Sequence, residues 1–397
     1  MSSAIMDVYR RFPVAFVKGE GAWLVDEAGR RHLDFCSGIA VTNLGHCHPA
    51  LVEALCTQAQ QLWHTSNLYR IPAQERLAAR LAAASGLDRV FFTNSGLEAM
   101  ECAIKTVRKH FADKGSRRRI IITMEGSFHG RSMATISASG QEKLTRGFEP
   151  LLPGFRQVPP EDVAALEAAI DDETAGVLIE PVMGEGGVRA LSDTYLQAVR
   201  ALCDRHGLLL VFDEIQCGMG RTGRLFAWEW AGVRPDVMAL AKGLGGGFPV
   251  GACLASAEAA SGMTPGAHGS TYGGNPLAMA VSHAVLDVLL APDFLPNLSE
   301  TAAYFDRALT QLAQEEGDLV IATRGKGFMR GIKLAATIPA RQFAEQAVAD
   351  AILVAPAADN VIRLLPPLII TREEIDEGMR RLKAALARAR RTAADMA

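Results

Sequence analysis

Apolar residues follow two rhythms along the chain. Short, largely apolar runs occur at 90–92, 120–124, 176–179, 208–212 and 237–241, and between them lie stretches in which apolar positions return every three or four residues. Short runs bounded by glycine or charge read as strands buried on both faces, and the 3.6-residue period reads as helices packed on them. Strand, helix, strand recurs from 90 to 255. This predicts an α/β fold: a mostly parallel sheet between helices.

The flanks read differently. Residues 15–35 alternate in strand fashion, with apolar Trp23, Val25, Leu33 and Phe35 and a turn at Glu27-Ala28-Gly29. Helices are expected at 49–62, where Pro49 suits the first helical position, at 73–84, at 193–206 and from Pro276 onward. Pro292 and Pro296 mark a boundary. Beyond it come a helix at 297–314, strands within VIATRGKGFMRGIKL, another helix, short strands in ILVAP and VIRLLPPL, and a final helix to about 391 with Thr371 as its cap. The expected division is 1–60, 61–291 and 292–397, with the two ends sharing a smaller α+β domain. No internal repeat or low-complexity segment interrupts the pattern.

At 397 residues the chain exceeds one small core, in keeping with two domains. A hydrophobic content of 49% with 21% charged residues excludes wholesale disorder. The formal charge of −3 argues against nucleic acid as a partner. Seven cysteines without a CxxC pair do not make a disulfide framework, so a reducing cytoplasm is the expected location. The N-terminus lacks the apolar core of a signal peptide, and no apolar run approaches the roughly 18 residues of a membrane helix. No membrane partner is expected.

The candidate chemistry sits at the ends of the apolar runs. The run 208–212 ends in Asp213 and Glu214; the run 237–241 ends in Lys242 and a glycine turn. Charged residues at strand ends lie where α/β sheets bind ligands, and buried charges need partners. The run 90–92 leads through Asn94-Ser95-Gly96-Leu97 into an amphipathic helix whose first N–H groups suit an anion. A plain N-cap, with Glu98 completing a capping box from Ser95, explains the same residues. After 120–124 come Phe128, His129 and Arg131 beside glycines: an aromatic able to stack on a flat ring and an arginine able to grip a carboxylate. Alone, Phe128 reads as core. The run 176–179 ends in Glu180, followed by Glu185 in a glycine turn.

Three features point away from other chemistries. His46, Cys47 and His48 are adjacent and cannot easily converge on one ion, so a structural turn and no metal are expected. GLGGG after Lys242 lacks the strand-to-helix context of a dinucleotide loop. Arg381, Lys383 and Arg388 on the last helix read as a solvated face. What remains is an anion turn, a ring stacker, an acid for a pyridine nitrogen and a lysine amine for a Schiff base. Those are the requirements of pyridoxal 5′-phosphate.

On these residues the chain resembles the class III (ω-amino acid) aminotransferases of the fold-type I pyridoxal phosphate family. The likeness runs in order through GIAVTNLGHCHP, LWHTSNLY, FFTNSGLEA, FHGRSMATISASG, EPVMGEGGV, FDEIQCGMGRTG, LAKGLGGGFPVGA, GSTYGGNPLA and IRLLPPL. It implies that Lys242 bonds covalently to the cofactor, that Asp213 pairs with the pyridine nitrogen, and that Gln216 lies near the ring's 3′-oxygen. Phe128 would stack on the ring. Ser95, Gly96 and Leu97 would hold the phosphate, helped by Thr271 from the other subunit of a homodimer. Arg131, with Ser270 close by, would bind the α-carboxylate of N2-acetylornithine. Arg363 would bind 2-oxoglutarate and be masked by Glu185 while the amine donor is present.

The implied reaction transfers the terminal amino group of N2-acetylornithine to 2-oxoglutarate, giving glutamate, as in arginine biosynthesis. Succinyl-ornithine, succinyl-diaminopimelate, ornithine and 4-aminobutyrate are the alternative donors, with 64–69 as the stretch expected to distinguish them. Leu97 stands where a small residue or threonine is commoner, Met183 where glutamine is, and Ser132 where threonine is. Two arginine grips argue against an aminomutase or racemase. An intact Lys242 and Asp213 argue against a non-catalytic binding protein.

Overall fold

In the computed structural model, which describes residues 4–395, seven strands form the central sheet. Their spatial order is Arg89–Thr93, Gly251–Ala255, Val237–Leu240, Leu209–Asp213, Thr174–Ile179, Ile120–Met124 and Phe155–Val158. Every neighbouring pair is parallel except the two made by Gly251–Ala255, which runs antiparallel to both its neighbours. Thr174–Ile179, Leu209–Asp213, Val237–Leu240 and Gly251–Ala255 are buried at every position. That double-sided burial is why these segments show no apolar alternation. On one face the helix Gly96–Asp113 supplies Met100, Ile104 and Val107 to the core; on the other the helix Asp193–His206 supplies Leu196, Val199 and Leu202.

The two ends of the chain meet. Phe16–Glu20, Trp23–Asp26 and Arg31–Asp34 form an antiparallel meander, with Phe35 just beyond it. The stretch expected as one strand in ILVAP is divided between two sheets. Ile352–Leu353 pairs in parallel with Arg31–Asp34, while Ala355–Ala357 pairs with Val361–Leu364 in a four-stranded antiparallel sheet that also holds Val320–Lys326 and Met329–Leu334. Too few residues separate the two pieces for sequence pattern to reveal the switch.

Other boundaries shift for local reasons. The helix Phe294–Glu315 begins ahead of Pro296, whose missing N–H would have had no acceptor in the first turn. Pro296 therefore lies inside the helix, in its first turn, and not ahead of it. The first long helix ends at Ala59, short of the expected 62, and Leu62 and Trp63 beyond it are exposed. The last helix, Arg372–Asp395, is capped by Thr371, whose hydroxyl accepts from Glu374 N at 3.2 Å while Glu374 Oε2 accepts from Thr371 N at 3.1 Å. Its basic residues are paired within the chain: Arg381 with Glu377, Arg388 with Asp350 and Lys383 with Glu315. In the turn at 46–48, His46 Nε2 bonds Asp34 Oδ2 at 2.7 Å and Cys47 adopts φ +52°. Among the described residues no single helix is long and apolar enough to cross a membrane.

The antiparallel sheet docks on the central one through a tight seam. Arg221, 1% exposed, donates to the carbonyls of Phe328 and Pro366, and Phe328 N donates back to Arg221 O at 2.9 Å. Gly327 beside it has φ +59°, and a Cβ there would fall within the backbone of Thr222. Both effects oppose any side chain at this position. Gly327→Ala is expected to lose about 1–3 kcal/mol of stability. An unchanged melting temperature would show that the seam is looser than this contact implies.

Candidate active site

Three adjacent parallel strands each deliver a charged residue at the same edge of the sheet. Val237–Leu240 leads to Lys242, Leu209–Asp213 ends in Asp213, and Thr174–Ile179 leads to Glu180. Phe128 follows the next strand, Ile120–Met124. The helix Gly96–Asp113 points its N-terminus into the same space. Together these segments enclose a cavity of about 430 Å³. Of the residues expected at the site, Ser95, Gly96, Leu97, Phe128, Arg131, Asp213, Gln216 and Lys242 all line it.

The two acids that end the run 209–213 have opposite fates. Glu214 turns away from the cavity, and its two oxygens accept from Ala227 N and Trp228 N at 2.7 and 2.8 Å. Burial pushes its carboxyl up to about 8. Asp213 faces the cavity at 3% exposure. Its Oδ2 is bonded to His129 Nδ1 at 2.9 Å, and its Oδ1 accepts from Ile215 N at 3.1 Å. Those contacts fix the plane of the carboxylate and leave it directed at whatever occupies the cavity.

Lys242 is half-buried and adopts φ +43°, a left-handed conformation that a side chain disfavours by roughly 1–2 kcal/mol. Strain of this kind persists where the surroundings over-determine it, commonly at working sites. Removal from water, and next the positive charge of Arg363, hold its amine below the ordinary lysine range.

The anion turn also forms. Ser95 Oγ accepts from Glu98 N at 3.2 Å, so the N-cap is real. The reciprocal bond goes one residue further back, with Glu98 Oε2 accepting from Asn94 N at 2.6 Å. The N–H groups of Gly96 and Leu97 have no partner among the described residues and open on the cavity. Cap and anion site coexist, because the cap uses the third N–H and leaves the first two. A Cβ on Gly96 would lie 2.8 Å from Ile215 Cγ2, so the turn approaches the Asp213 loop closely.

Arg363 lies behind the cavity on Val361–Leu364, 1% exposed. Its Nη2 bonds Glu185 Oε1 at 2.7 Å, and its Nη1 donates to Gln216 Oε1 at 3.0 Å. Gln216 thus engages the arginine through its amide oxygen, which leaves only its NH2 for another contact. Ser270 and Thr271 do not line the cavity. Ser270 Oγ accepts from Asn94 Nδ2 at 3.3 Å, and Thr271 is exposed. Within 64–69, Asn67 donates to the carbonyls of Ser270 and Gly273 at 3.1 and 2.9 Å, so that stretch is fastened to the Ser270 segment.

The family model for aminotransferase class-III matches residues 5–386. The chain belongs to the class III aminotransferases. It is 55% identical over 387 residues to the acetylornithine aminotransferase of Agrobacterium fabrum, covering 97% of this chain and 96% of that one. Among solved structures, the N-acetylornithine aminotransferase of Stenotrophomonas maltophilia superposes with a TM-score of 0.83 at 40% identity, covering 96% of each chain. The ornithine aminotransferase of Toxoplasma gondii, described with PLP at partial occupancy in its active site, superposes with a TM-score of 0.92 at 32% identity, covering 98% of this chain and 93% of that one.

In this class III aminotransferase two site residues received no role from the sequence. His129 was visible only as a member of the Phe128 cluster, yet it holds Asp213. Glu180 showed the same strand-end pattern as Asp213, and its carboxylate accepts from Phe128 N and Gly184 N. Burial pushes Glu180 up to about 7. The departures from the commoner family residues are accommodated locally. Leu97 packs over Gly130, Met183 is buried under the glycine turn, and Ser132 caps the helix Met133–Ser139.

The strain at Lys242 can be measured by comparing Lys242→Gly with Lys242→Ala, both of which remove the amine. The glycine variant is expected to be the more stable by about 1 kcal/mol. Equal melting temperatures would mean that the backbone relaxes once the side chain is gone.

Proposed function

We propose that the protein is a pyridoxal 5′-phosphate-dependent acetylornithine:2-oxoglutarate aminotransferase. The observation that carries the reading is the 2.7 Å pair of Glu185 with buried Arg363, directly behind a cavity lined by Lys242 and Asp213. The names of the relatives supply the amine donor. The residues present fit the cofactor: two unpartnered N–H groups at a helix N-terminus for a phosphate, a fixed acid for a ring nitrogen, and a lysine with a depressed proton affinity. When bound, this cofactor acts as an electron sink for the carbon that carries the transferred amine.

In this reading Asp213, oriented by His129, would pair with the ring nitrogen and favour its protonated form. Gly96 and Leu97 bind the phosphate through N–H groups and the helix dipole, next to Ser95. Phe128 covers the ring, and Arg131, whose guanidinium lies 5.6 Å from the Phe128 ring centre, binds the donor's α-carboxylate with Ser270 nearby. The NH2 of Gln216 would be free to bond the ring oxygen. Lys242 Nζ, whose proton affinity burial and Arg363 lower, would hold the cofactor and would be placed to take up and return the substrate's proton.

Arg363 and Glu185 set the order of substrates. A terminal amine brings no carboxylate to Arg363, so Glu185 stays and neutralises it. The oxo acid brings one, and Glu185 yields its place. The division into 61–291 and a smaller domain from 1–60 and 292–397 belongs to the same proposal. So does a cytoplasmic homodimer in which Thr271 completes the partner's phosphate site. Thr271 is exposed, and exposed Trp63, Leu68, Tyr69 and Tyr272 in the segments around it supply apolar surface for a second copy to cover. The cysteines among the described residues are all free.

Two experiments test the reading. Borohydride reduction is expected to fix the cofactor on the peptide containing Lys242, and Lys242→Ala should lose that adduct and all transamination; an adduct on another lysine would overturn the assignment. A panel of acetylornithine, ornithine and 4-aminobutyrate against 2-oxoglutarate should show acetylornithine as the best donor. A clear preference for ornithine or 4-aminobutyrate would move the enzyme to another branch of the family.

A further inference from the structure

We propose that Glu180 is a positioning residue for the exchange at Arg363: its carboxylate fixes the backbone pivot from which the Glu185 side chain leaves and returns. The inference rests on the masking role proposed for Glu185.

Glu180 is 4% exposed, and each of its oxygens is committed to a different loop. Oε1 accepts from Phe128 N at 2.8 Å, and Oε2 accepts from Gly184 N at 3.1 Å. A buried carboxylate next to Asp213 is costly, and apolar packing at this strand end would not require one. Its two bonds go to the residue that covers the cavity and to the residue just before Glu185.

The peptide carrying Glu185 is held from three sides. Glu180 holds the N–H of Gly184. The side chain of Gln216 lies against Gly184 so closely that a Cβ there would collide with its amide. On the far side Ala358 N donates to Glu185 O at 3.0 Å. Against this, the carboxylate of Glu185 is 29% exposed and, among the described residues, bonded to Arg363 alone. A side chain with a single partner on a clamped backbone moves by rotating, without carrying its loop along. Uncovering Arg363 is then a rotamer change, and Glu185 returns without having to reorder a loop. Gln216, still bonded to Arg363 Nη1, keeps the guanidinium in place meanwhile.

Glu180→Gln keeps the size of the side chain but offers one acceptor oxygen where two N–H groups need one each. The test uses the cofactor-loaded enzyme and single half-reactions with acetylornithine and with glutamate, in wild type, Glu180→Gln, Glu185→Ala and the double variant. The readout is the ratio of the two second-order rate constants. Glu185→Ala is expected to lower the acetylornithine-to-glutamate ratio by roughly tenfold, and Glu180→Gln by roughly threefold, with the visible absorbance maximum unchanged. In the Glu185→Ala background, Glu180→Gln should change the ratio by less than about twofold, because its effect acts through Glu185.

A Glu180→Gln effect of the same size in both backgrounds, or none in the wild-type background, overturns the proposal and leaves the masking role standing. An unchanged ratio in Glu185→Ala overturns the masking role itself, and this inference with it. If Glu180→Gln does not fold, Glu180→Asp, which retains the charge but shortens the reach, is read against the same non-additivity.

Discussion

A guanidinium at 1% exposure cannot be left without partners, and much of this molecule is arranged around that constraint at Arg363. The arginine stands on the antiparallel sheet built from the C-terminal part of the chain, while its partners Glu185 and Gln216 come from loops of the central sheet. The contact that satisfies the charge therefore also fastens one sheet to the other. Arg221 crosses the seam the other way, with Nη1 reaching from a central-sheet loop to the carbonyls of Phe328 and Pro366, but it has no carboxylate partner among the described residues. A seam made of buried guanidinium groups is specific, since no apolar sliding can replace its bonds. One of these groups, Arg363, is bonded to Gln216, which lines the cavity, and there the seam borders the site.

The site itself was legible to the extent that burial erased alternation. Strands buried on both faces leave unbroken apolar runs, so the charged residue that ends each run stands out. Asp213, Lys242 and Glu180 all carry that signature. What the pattern could not supply was direction. Asp213 and Glu214 are neighbours, and only the strand's pleat and the capture of Glu214 by Ala227 N and Trp228 N decide which of them faces the cavity. For a similar reason the pattern gave no sign of Gln216's bond to Arg363, although the resemblance had placed Gln216 at the site, nor of His129's hold on Asp213. Their roles depend on partners 147 and 84 residues away.

The same limit explains the errors in the fold. ILVAP looks like one strand because local propensity is continuous, yet Ile352–Leu353 finds its partner in Arg31–Asp34 and Ala355–Ala357 in Val361–Leu364. Pro296 looks like a boundary but sits in the first turn of a helix, where proline is tolerated. Each miss concerns which of two locally acceptable states tertiary pairing selects.

Across the sheet edge, Lys242, Asp213, Glu180 and Phe128 follow the order of four successive strands. A row of charges so close together would be self-defeating if all were unpaired. Each is settled differently: Lys242 by a depressed proton affinity, Asp213 by His129, and Glu180 by two backbone donors. Both acids have their two oxygens engaged, but Asp213 is held by a side chain and by its own loop while facing the cavity, whereas Glu180 joins N–H groups of two separate loops. What distinguishes the carboxylates of this edge is which groups each one holds, more than their presence at the strand ends.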